Sequence, residues 1–61
     1  MRKGNIVRYE NVNDAKWNDG FGFEFEVAEK CKNVVKLISI KNTRFGIVAT
    51  VPLTKVTLIR K

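Results

Sequence analysis

From Phe21 to Ala28 two residue classes alternate without a break: Phe21, Phe23, Phe25 and Val27 fall on one face of an extended chain, and Gly22, Glu24, Glu26 and Ala28 on the other. A period of two fits a half-buried β-strand, whose successive side chains point to opposite sides, and does not fit a helix. The polarity then decides which face turns inward. With the phenylalanines in solvent, Glu24 and Glu26 would be buried with no partner evident in the sequence. A single unpaired buried charge costs several kcal/mol, comparable to the ~3–5 kcal/mol that a domain of this size commands in total. Phe21, Phe23 and Phe25 are therefore expected in the core.

The rest of the chain also reads as strands. Residues 5–9 make a short strand entered through Gly4, residues 34–40 and 45–51 are rich in β-branched side chains, and residues 55–59 make the last strand. Lys41 to Arg44 has the length and the Asn of a tight hairpin loop. Residues 10–20 hold Asn11, Asn13, Asp14, Asn18, Asp19 and Gly20 and are expected to form a polar loop that leaves the sheet and returns. Pro52 lacks an amide donor and should stop the fourth strand, leaving one turn to redirect the chain into the fifth. Helical periodicity is confined to residues 27–32, too short to nucleate a helix. The expectation is an all-β fold, five short antiparallel strands forming a small barrel, with residues 1–61 as one domain.

Several functions lose their chemistry at this level. The chain has no His and one Cys, so the commonest general base, the commonest zinc ligand and an internal disulfide are all missing. No glycine-rich phosphate loop precedes a helix, and Glu24 and Glu26 sit on one open strand face with no pocket around them. The chain therefore reads as a non-enzyme with no catalytic residue, no metal site and no cofactor. Cys31, between Lys30 and Lys32, could have a lowered thiol pKa, but with no second Cys it reads as a free structural thiol. Apolar runs such as Ile47 to Ala49 are far below the ~20 residues that cross a bilayer, and Arg8 and Glu10 interrupt any signal-like start. A cytoplasmic, complete small gene product with no membrane contact is expected.

Charge is divided along the chain. Residues 1–29 hold four Lys and Arg against six acids, whereas residues 30–61 hold eight Lys and Arg and no acid, for a net charge of +6. Such a run is either a solvated surface or the footprint of a polyanion. Because Glu24 and Glu26 would repel phosphate from their side, the nucleic-acid surface is expected from the second half and the termini. Lys36, Lys41 and Arg44 form one expected cluster, and Lys55, Arg60 and Lys61 another. Either cluster could instead protect sheet edges. Trp17, in the polar loop, is either an anchor for a partner or a side chain that folds the loop back onto the sheet.

Lys3-Gly4-Asn5-Ile6-Val7-Arg8-Tyr9 resembles the Lys-Gly-Asp-x-Val-x-Val entry of KOW-type SH3-like barrels of transcription and translation proteins. The ending Val51-Pro52-Leu53-Thr54-Lys55-Val56-Thr57-Leu58-Ile59 is similar to the strand, one-turn 3₁₀ helix and closing strand of that fold. The Ala-Leu-Tyr-Asp-Tyr signature of signalling SH3 domains is absent, so proline-rich peptide recognition is not implied. Gly20-Phe21-Gly22-Phe23 is also similar to the first ribonucleoprotein motif of cold-shock domains, with Asp19 where that motif has Lys. The resemblance implies an SH3-like barrel of the kind found in transcription or translation accessories, and since the first and last strands of that fold run close together, Arg2, Lys3 and Arg8 could join Lys55, Arg60 and Lys61. With the basic second half, the expected function is DNA or RNA binding, chiefly through sequence-independent phosphate contacts by Lys36, Lys41, Arg44, Lys55 and Arg60. The alternative is a non-catalytic protein-interaction module, docking on or inhibiting a larger machine, with Trp17 in the interface.

Overall fold

The strands are β1 (Ile6–Arg8), β2 (Glu24–Cys31), β3 (Val34–Ser39), β4 (Ile47–Pro52) and β5 (Thr57–Arg60), and one helix, α1 (Ala15–Phe21), lies between β1 and β2. A computed structural model describes all residues 1–61. The strands form one antiparallel sheet in the order β4-β3-β2-β1-β5. Register shifts at Val27/Glu29, Leu37/Ile38 and Ile6/Val7 bend the sheet as bulges do. It curls without closing, so β4 and β5 remain its edges.

The core follows from the register. Val7 faces Phe25, Val27 faces Leu37 and Val35 faces Val51 across neighbouring strands, and these six side chains are the buried apolar set. Tyr9, Trp17, Phe21, Val48, Ala49, Leu53 and Val56 close around it, half-buried. The alternate residues Arg8, Glu24 and Glu26 are exposed, as the alternation requires.

Three sequence expectations are corrected. Residues 10–20 are not wholly a loop, because Asp14 caps a two-turn helix there, its carboxylate accepting from the Trp17 amide at 3.0 Å. Asn11 and Asn18 hold the approach: Asn18 Nδ2 donates to the Asn11 carbonyl (2.7 Å) and the Asn11 amide to Asn18 Oδ1 (2.9 Å). Phe21, Phe23 and Phe25 do not share a face. Phe21 ends α1, only Phe25 is fully buried, and Phe23 is 36% exposed. Gly22, whose φ of 77° and ψ of −164° lie in a region essentially reserved for glycine, breaks the phase between Phe21 and β2, and the strand begins at Glu24, one residue after Phe23. Finally, Phe45 belongs to a 3₁₀ turn, Thr43–Phe45, rather than to the fourth strand. Pro52 does end β4, and a 3₁₀ turn, Leu53–Lys55, leads into β5.

Candidate nucleic-acid interface

A helix end leaves its last carbonyls without intrahelical partners. In α1 the carbonyls of Asp19, Gly20 and Phe21 are each taken by a side chain from the last residue of β3 or the segment just after it. Lys41 Nζ donates to Asp19 O (2.8 Å), Asn42 Nδ2 to Gly20 O, and Ser39 Oγ to Phe21 O (2.6 Å). The Ser39 hydroxyl, fully buried, also accepts from the Lys41 and Asn42 amides at 3.1 Å each. The Lys41 ammonium supplies the positive charge that a helix C-terminus favours. This lattice fixes the β3–β4 connection against the end of α1, and a surface is built across the junction.

That surface starts at a groove of about 420 Å³ lined by Arg8, Phe21, Gly22, Phe23, Glu24, Ile40 and Lys41. The Arg8 guanidinium lies 5.0 Å from the centre of the Phe23 ring. Phe21 meets Phe45 edge-on with ring centres 5.6 Å apart, and Arg44 lies 5.1 Å above Phe45, which is 54% exposed. Two arginine–aromatic pairs thus flank Phe21 at one end of the sheet. The molecule forms only two ion pairs, Lys36–Glu29 (3.4 Å) and Arg60–Glu24 (3.6 Å). Arg8, Lys41 and Arg44 are exposed and have no carboxylate partner.

The expected basic residues are distributed differently from the sequence grouping. Lys41 and Arg44 stand together at this surface, but Lys36 is held by Glu29 on the β2–β3 face. Arg8 lines the groove with Lys41 rather than joining the termini. Arg2 and Lys61 both line a separate hollow with Met1, Asn5 and Leu58. Lys55 lines a third cleft with Tyr9, Glu10, Asn11, Val12, Asn13, Val51 and Pro52. Arg60 reaches Glu24 at the groove's rim, so Glu24 is neither unpaired nor on the far side from the basic surface. Trp17 folds back: its ring stacks on Phe25 at 5.6 Å and packs against Phe21 (5.1 Å) and Tyr9 (5.8 Å).

Cys31 behaves oppositely to what its flanking lysines suggest. Its thiol donates to Glu29 Oε2 at 3.4 Å, and that bond, helped by desolvation, pushes the thiol pKa above its ordinary value. The same bond, followed by the contact with Lys36, holds the Glu29 carboxyl below the usual carboxylate range. No group of three or more Cys, Asp and Glu side chains gathers where a metal could be held, and no helix is long and apolar enough to cross a membrane.

Sequence reasoning missed Phe23 and Phe45 as surface residues. The signals were Gly22 and Gly46, each next to one of these phenylalanines and each with positive φ, 77° and 67°. A glycine there can end the alternation that would otherwise bury its neighbour. No family model matches the chain, and comparison with curated proteins and with solved structures yields no match.

Proposed function

We propose that this chain is a small basic nucleic-acid-binding β domain that holds its ligand chiefly through sequence-independent phosphate contacts. One observation carries the reading: Arg8, Lys41 and Arg44, none paired with a carboxylate, stand at one end of the sheet among partly exposed aromatic rings. Cations of this kind bind phosphate by releasing counterions, and the affinity is then steeply salt-dependent. The pairing of β1 with β5, and the 3₁₀ turn before β5, support assigning the chain to the SH3-like barrels. A role as a transcription or translation accessory in the cytoplasm goes with that assignment.

The experiment is a titration of DNA and RNA from low to physiological salt. Replacing Arg44 by Glu should weaken all sequences alike and reduce the slope of log affinity against log salt by about 1 or more. Lys36→Glu should change the slope less, because Glu29 already neutralises that lysine. Absence of binding at low salt would overturn the reading.

A second reading, a non-catalytic protein-interaction module, is favoured by β5. This edge strand is exposed along its length, with Leu58 at 42% and Ile59 at 40%, and such an edge can pair with a strand from a partner. Substituting Ile59 by Lys should abolish partner capture under that reading and leave nucleic-acid affinity no weaker.

A further inference from the structure

We infer that the ligand of this surface is a single-stranded nucleic acid, with its bases stacked on the Phe23 and Phe45 units; the inference rests on the nucleic-acid reading above. Each unit is an aromatic ring with a guanidinium over it, Arg8 at 5.0 Å from Phe23 and Arg44 at 5.1 Å from Phe45. Unstacked bases pack on aromatic rings and on arginine planes alike, and each stack is tolerant of sequence. The two units are joined through Phe21, which lines the groove with Phe23 and touches Phe45. A flexible strand can therefore lay consecutive bases on one contiguous aromatic track while its phosphates meet Arg8, Lys41 and Arg44.

Duplex fits this end of the sheet less well. Its bases are already stacked internally, so Phe23 and Phe45 have nothing to receive. Its rigid, wide backbone would also extend across the neighbouring sheet face, where Glu26 is exposed with no cationic partner. Phosphate brought close to that carboxylate is repelled. A single strand follows the groove and avoids it.

The track also explains why Phe45 is left 54% exposed although Phe21, against which it packs, is half-buried. Neither Phe23 nor Phe45 belongs to the buried core, which consists of Val7, Phe25, Val27, Val35, Leu37 and Val51, or to the side chains that close around it. Phe45→Ala and Phe23→Leu should therefore both remain folded, which circular dichroism and thermal melting establish before binding is measured.

The test is fluorescence anisotropy with labelled oligothymidylate, oligouridylate and a DNA duplex of equal length, at several salt concentrations. The inference expects tighter binding to both single strands than to duplex. It expects each aromatic substitution to weaken single-strand affinity by about 5- to 150-fold, the worth of one stacked base, with the salt slope and the duplex affinity unchanged. Arg44→Glu should instead lower the slope on every ligand. Salt-dependent binding that is indifferent to Phe45→Ala and Phe23→Leu, or equal for duplex and single strand, would overturn the stacking inference while leaving the nucleic-acid reading intact. No binding of any of the three ligands would overturn both.

Discussion

Helix, sheet and connecting segment meet at the hydroxyl of Ser39, which donates to Phe21 O and accepts two amides, those of Lys41 and Asn42. Removing one partner from a buried hydrogen-bonded group leaves the others unsatisfied, at about 1–3 kcal/mol. Ser39→Ala should therefore cost about 1–3 kcal/mol in urea unfolding, a large share of the stability of a domain this small, and should loosen the Lys41 segment. An unchanged midpoint would contradict the lattice. Cys31 offers a second test at this scale. Its raised pKa comes first from the bond to Glu29, so little thiolate is present near neutral pH. Glu29→Gln removes that carboxylate, and alkylation of Cys31 at about pH 8 should accelerate. The linkage has a sign: the Glu29 contribution is complete above the ordinary carboxylate pKa and fades as pH falls through its depressed value. The gap in melting temperature between wild type and Glu29→Gln should thus narrow in acid.

Among the elements, β2 and α1 show what patterning reveals and where it stops. The alternation of Phe25 and Val27 with Glu24 and Glu26 was legible because burial enforces it along the strand. It failed at Phe21 and Phe23 because the extended strand begins only at Glu24, and Gly22 ends α1 in a conformation that breaks the alternation before it. Likewise α1 was hidden among turn-forming residues. Its traces are Asp14 at the N-cap and the spacing of Trp17 and Phe21, four residues apart on one helix face and in contact at 5.1 Å. The caps on its C-terminal carbonyls come from Ser39, Lys41 and Asn42, a separation no local pattern reports. Gly22→Ala should cost about 1–3 kcal/mol, since its conformation is essentially closed to a side chain. Amide chemical shifts should place the disturbance at the α1–β2 junction rather than across the sheet, and a neutral effect would contradict the argument. Phe25→Ala, by contrast, should cost about 3–5 kcal/mol and unfold the protein.

At the scale of the whole molecule, net charge and strand count were legible, but the partition of the charge was not. Ion pairing sets Lys36 and Arg60 apart from Lys41 and Arg44, and it depends on which carboxylate the register brings opposite each one. Glu24 sits at the rim of the groove, so Glu24→Lys should strengthen nucleic-acid binding and steepen its salt dependence, measured by the same anisotropy titration. The central claim is the location of the interface, and an amide chemical-shift titration of the labelled protein with an unlabelled oligothymidylate tests it most directly. Perturbations should concentrate at Arg8, Gly22, Phe23, Ile40, Lys41, Arg44 and Phe45. Perturbations centred instead on β5 or on the Cys31–Val34 turn would contradict it.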